Sequence, residues 1–188
     1  MIHTAYRKFR LRFDPTKKYR QKIAEQTGLK MVPMQTDIFA LQGTYNDRFA
    51  RLFTTYGRMG GNYNTYEVWL SHPSKIDLSF RFNAITPLSR MKEPALLQNA
   101  TEKVFREQFK ISGQSKNIVS DFIKREETIR ELLQIAWQTG NIKIEFQHDR
   151  IICQELSPVI LDVRTVERIF GILVALADWT ESIPPQEP

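Results

Sequence analysis

The sequence predicts an α+β protein, an antiparallel sheet with packed helices, built from a β-rich half and a mixed half. Three observations carry that expectation. Apolar residues alternate with polar ones through much of residues 31–82, the period of a half-buried strand. Helical spacing takes over in residues 115–138 and again after Asp162. The strand-like runs are separated by short turn-rich stretches, which favour hairpins over crossovers. A length of 188 residues fits one domain, and 41% apolar residues with twelve Phe supply a core and exclude wholesale disorder.

In chain order, residues 2–13 are ambiguous. Phe9, Leu11 and Phe13 alternate as in a strand, while Ile2, Tyr6, Phe9 and Phe13 share one side of a helix. Asp14 and Pro15 then suit the N-cap and first position of a helix with Tyr19, Ile23 and Ala24 inward and Gly28 as its stop. A strand over 38–42 precedes a turn-rich stretch, 43–47. Residues 48–56 and 63–71 read as a hairpin around the Gly-rich loop 57–62, and residues 76–82 as a further strand after the His72-Pro73 turn. Residues 83–101, with Pro87 and Pro94, read as the connection between the halves.

The second half restarts with a short strand holding Phe105, Phe109 and Ile111. Helices follow over about 115–124 and 126–138, the latter stopped by Gly140. Ile142, Ile144 and Phe146 alternate in a strand, His148-Asp149 turns it, and residues 150–155 return. Asp162 caps the last helix, with Val166, Ile169, Phe170, Leu173, Val174 and Ala177 on its apolar stripe. The organisation expected is a basic segment with its helix (1–30), one domain (31–180, divided at 31–82, 83–101 and 102–180) and a frayed tail (181–188).

Charge is unevenly placed. Residues 1–30 hold nine basic side chains against Asp14 and Glu25, a net +7, while the rest of the chain nets −1. Such asymmetry points to an anionic partner, a membrane surface or nucleic acid, and docking on an acidic protein face would use the same charges. Arg7, Lys8, Arg10, Arg12, Lys17, Lys18 and Arg20 are the expected contacts. No apolar run reaches the ~20 residues of a membrane span, and basic residues interrupt any secretory signal. With Cys153 as the single cysteine, the reading is a cytoplasmic protein, peripheral to a membrane at most.

Chemistry-bearing motifs are weak. His3, His72 and His148 lack metal-ligand spacing, and His148-Asp149 fits a turn better than a general base. Cys153 alternates inward with Ile151 as a small hydrophobe. The loop Gly57-Arg58-Met59-Gly60-Gly61 joins strand to strand, whereas a phosphate loop opens a helix. No catalytic residue, metal or cofactor is assigned. Tyr45, Tyr56, Tyr63, Tyr66 and Trp69 lie near Arg48, Arg51 and Arg58, so a nucleic-acid surface using Arg48, Arg51, Arg58, Tyr63 and Tyr66 stands as the alternative to cross-strand packing.

The order FREQFKISG, IRELLQIA, IKIEFQHDRIIC and IFGILVALADW, preceded by LQGTYNDRFARL, resembles a loose bacterial family of uncharacterised soluble domains. Members are often found on the cytoplasmic side of one or two membrane helices. The resemblance spans about residues 20–180 and implies no catalytic residue; this chain departs from that layout in having no membrane helix. The expectation is therefore a non-enzymatic interaction or assembly module, with an enzyme whose pocket is assembled from residues distant in sequence as the further alternative.

Overall fold

The structure is a computed structural model that describes residues 17–33, 39–56, 62–74, 76–82, 105–106, 108–113, 116–139, 142–156 and 162–183. Helix α1 (Lys17–Thr27) leads into β1 (Lys30–Pro33), β2 (Phe39–Tyr45), β3 (Arg48–Tyr56) and β4 (Asn62–Trp69). Then come β5 (Leu78–Phe82), β6 (Phe109–Gly113), α2 (Lys116–Ile123), α3 (Glu126–Thr139), β7 (Ile142–Phe146), β8 (Arg150–Leu156) and α4 (Val163–Ser182). All eight strands form one sheet in the order β1-β2-β3-β4-β8-β7-β5-β6, every pairing antiparallel. The protein is α+β, and its two halves share a single sheet. They meet where β4 pairs with β8, from Tyr63↔Leu156 to Trp69↔Arg150, and again where β5, from the first half, is inserted between β6 and β7 of the second. The connection at 83–101 and the Asp14-Pro15 start lie outside the described residues.

Local chemistry moves two boundaries and changes the inward face of one helix. The β2–β3 turn is only Asn46-Asp47, at φ 47° and 62°. Both residue types tolerate the left-handed region, so a two-residue hairpin suffices and Gly43 to Tyr45 stay in the ladder. Phe105 precedes the strand assigned to it: Phe105, Arg106 and Gln108 are helical, and the i,i+4 rings of Phe105 and Phe109 stack at 4.7 Å. In α1 the inward residues are Arg20 and Ile23, while Tyr19, expected inward, is 46% exposed.

Helices α1 to α4 pack on one face of the sheet. Phe80 of β5 is buried under α2, stacked on Phe122 at 4.6 Å and met edge-on by Phe105 and Phe146. Phe170 of α4 meets Tyr66 of β4 at 5.6 Å, and Trp179 packs on Phe122 and Phe146. Such ring pairs each contribute about 0.5–1.5 kcal/mol beyond area burial. No helix among the described residues is long and apolar enough to cross a membrane.

Both ends of α4 are tied down. Asp162 accepts from the Thr165 amide at 3.2 Å, the expected cap. Glu181, expected in a frayed tail, instead lies in the last turn. Its carboxylate takes Arg48 Nη1 and Nη2 at 3.1 and 2.7 Å and accepts the amides of Ser71 and His72. Asp178 takes Arg48 Nη2 at 2.6 Å. Residues 184–188 lie outside the described residues.

The Arg48 hydrogen bonds hold the Glu181 carboxyl at about 2, against an ordinary 4.5. A depressed folded-state value means stability that is complete above the unfolded value and lost as pH falls toward about 2. Urea denaturation across that window should show acid destabilisation that Glu181→Gln flattens, with the variant weaker than wild type at neutral pH. At Gly113, φ is +114° and a Cβ would overlap the Asp77 carbonyl. Gly113→Ala should therefore cost about 1–3 kcal/mol in chemical denaturation, because L side chains avoid that conformation and the β5–β6 backbones have no room to part.

Candidate functional site

Helix α1 carries the described part of the basic N-terminal region. Its 3.6-residue period sets Arg20, Ile23, Ala24 and Thr27 toward the sheet and Lys18 and Lys22 away from it, with Tyr19 and Lys17 on the flanks. Lys17, Lys18 and Lys22 are exposed. Arg20 is 6% exposed and donates from Nη2 to Thr54 Oγ1 at 3.0 Å. It was expected among the surface contacts. It is instead the polar pin that seats the helix, because its guanidinium reaches a buried hydroxyl on β3. Gly28, at φ 73°, ends the helix and lets Leu29 turn into the core.

From that pin a buried hydrogen-bonded chain crosses the sheet. Thr54 Oγ1 donates to Asn64 Oδ1 at 3.0 Å, and Asn64 Nδ2 donates to Glu155 Oε1 at 3.0 Å. Tyr66 OH donates to the same oxygen at 2.6 Å. Register explains the meeting: Thr54, Asn64 and Glu155 stand directly opposite one another on β3, β4 and β8. Burial pushes the Glu155 carboxyl up, and the Tyr66 and Asn64 hydrogen bonds pull it part of the way back. Burial, then the charge of Glu155, pushes the Tyr66 phenol well up. Cys153 faces Tyr66 in register, and burial pushes its thiol well up, which suits an inert core side chain.

The opposite face of the sheet carries a second set of polar residues. Arg51 lies over Phe53 at 4.6 Å, Arg150 over Trp69 at 5.4 Å, and Phe49 meets Trp69 edge-on at 4.9 Å. Between the two arginines sits Glu67, 5% exposed, at 3.7 Å from Arg51 and 4.0 Å from Arg150. Burial pushes its carboxyl up and the two arginines draw it down.

The secondary surface expected from sequence is thus divided. Arg51 and Tyr63 belong to the face opposite the described helices, both partly exposed. Tyr66 is fully buried on the other face, bonded to Glu155. Arg48 is taken up by Asp178 and Glu181, so neither it nor Tyr66 offers itself to nucleic acid. Arg7, Lys8, Arg10, Arg12 and Arg58 lie outside the described residues. His148 sits in the β7–β8 turn with Nδ1 3.1 Å from the Ser74 carbonyl oxygen, as the turn reading expects. Among the described residues no group of three or more His, Cys, Asp or Glu could hold a metal ion. Glu155 and Asn64 were not singled out from sequence. The signal was available only as two polar residues at inward positions of strands, Asn64 two before Tyr66 and Glu155 two after Cys153.

An eight-stranded antiparallel sheet backed on one face by helices defines the class of protein. No protein-family model matches the chain, and no curated protein matches it. Among solved structures it is similar to the mycobacterial trehalose monomycolate transport factor A, TtfA, with 8% identity and a TM-score of 0.61 over 93% of this chain and 99% of that one. At that identity the likeness is one of fold.

Because Glu155 titrates above the unfolded value, the folded state keeps its proton to higher pH than the unfolded chain does. Stability then falls as pH rises through the raised value. Urea denaturation at rising pH, starting from the ordinary carboxylate range, should show this slope reduced in Glu155→Gln. The amide keeps an oxygen for Tyr66 and Asn64 without burying a charge.

Proposed function

We propose that the protein is a non-enzymatic interaction module that docks on an anionic membrane surface through its basic N-terminal region. The observation that supports this reading is the outer side of α1. Lys17, Lys18 and Lys22 are exposed there, with Tyr19 beside them at 46% exposure, while Arg20 and Ile23 hold the helix to the body. A helix pinned in this way presents its charges on a rigid support, so little side-chain and backbone order is lost on docking. Each lysine near an anionic leaflet contributes about 1 kcal/mol, and an amphipathic ring such as Tyr19 suits the headgroup level. The apolar side of α1 is already used against the sheet, so attachment would be electrostatic and salt-sensitive.

TtfA is named as a transport factor, which accords with a non-catalytic role, but a shared fold alone does not transfer an activity. An acidic protein face would meet the same lysines. Co-sedimentation with phosphatidylserine-rich vesicles tests the membrane reading. The combined substitution Lys17→Glu, Lys18→Glu and Lys22→Glu should weaken binding by roughly 100-fold or more, the equivalent of three such charges, without changing the thermal melt. Unaltered vesicle binding, or binding only to an acidic protein, would count against it.

A further inference from the structure

A different basic surface lies on the sheet face opposite the described helices, at the β6 edge. Arg81 of β5 stands directly opposite Lys110 of β6 on one side and Lys143 of β7 on the other. Three cations therefore follow one another across neighbouring strands, at the ~4.8 Å strand spacing. Like charges directly opposite oppose strand pairing, so ordinary sheet energetics argue against this arrangement. Lys143 is offset by Glu145, Nζ to Oε1 at 2.5 Å. Arg81 and Lys110 are exposed, and neither makes an ion pair among the described residues.

Two residues along the same strands, Ser79 faces Ser112, their hydroxyl oxygens 2.8 Å apart. Alternation puts both on the same face as Arg81 and Lys110. A planar guanidinium fork, an ammonium group and two hydroxyls thus occupy one small tile, bordered on β7 by Glu145 opposite Ser79, whose carboxylate is taken by Lys143. A carboxylate has two oxygens to offer them, whereas a phosphate monoester has three and a charge approaching −2. Backbone phosphates are bound by the same set of Arg, Lys and Ser donors.

We infer that Arg81, Lys110, Ser79 and Ser112, with Lys143 alongside, form a binding site for the phosphate group of a ligand. The ligand's charge relieves the repulsion that the register imposes. The site shares no residue with the lysines of α1 and goes beyond the docking reading.

Titration of the labelled full chain with inorganic pyrophosphate, followed by amide NMR, tests it. Amides of residues 79–81 and 110–112 should shift, and Arg81→Ala with Lys110→Ala should lower the affinity at least tenfold, about the loss of one charge-assisted hydrogen bond. That double variant should melt no lower than wild type, and pyrophosphate should raise the melting temperature of wild type alone. A second arm uses phosphatidic acid vesicles and the Lys17→Glu, Lys18→Glu, Lys22→Glu protein. Vesicle binding that persists there and is lost on adding Arg81→Ala and Lys110→Ala identifies a lipid headgroup as the source. Pyrophosphate binding without it identifies a soluble phosphate. Shifts confined elsewhere, no shift at all, or equal competition by a polyglutamate peptide would overturn the assignment.

Discussion

The pairing of β4 with β8 is the constraint on which the rest of the molecule depends. These strands come from opposite halves of the chain, and their seven-residue register turns two four-stranded units into one sheet. Helix α4 lies across that seam, with Phe170 against Tyr66 of β4 and Trp179 against Phe146 of β7. The seam is also where the buried polar chain crosses, through Asn64 and Tyr66 on one strand and Glu155 on the other. A one-residue slip would move Asn64, Tyr66 and Val68 to the opposite face and break the core and this chain together.

The buried chain gives the seam specificity more than raw stability. Hydrogen bonds of this kind each contribute about 1 kcal/mol net, but an orphaned partner costs more than the bond is worth. Arg20, Thr54, Asn64, Glu155 and Tyr66 therefore fit only one arrangement of α1, β3, β4 and β8. Arg48 works in the same way at the other end of β3, where it joins α4 and the turn after β4 through Glu181. Two of the arginines assigned to surface roles from sequence alone, Arg20 and Arg48, serve instead to join elements.

Two groups of outward basic residues carry the functional readings, one on α1 and one on the β5–β6 edge. Their settings differ. On α1 the lysines stand on the outer side of a helix whose inner side is pinned. On the face opposite the described helices Arg81 and Lys110 are held opposite each other by strand register. Three exposed lysines on a helix suit a diffuse anionic surface, and a register-fixed Arg-Lys-Ser tile suits a compact anion.

Elements with a strong local signal were legible in the sequence. The 48–56 and 63–71 hairpin, the alternation of Ile142, Ile144 and Phe146, and the Asp162-capped helix all appear where periodicity places them, because burial imposes a period of 2 or 3.6 on the residues themselves. The strand at Lys30–Pro33 and the helical turn at Phe105 were not separately legible, being too short to show a period. Side-chain partners belong to a different class of information. The concentration of positive charge at the front of the chain is written in composition, yet whether a given arginine meets solvent or a carboxylate depends on what lies opposite it after folding. Arg20, Arg48 and Arg81 look alike in one dimension. Register and helix packing make the first a buried pin, the second a bridge to Glu181 and the third an exposed cation facing two others, since contacts across a sheet join residues that the sequence keeps far apart.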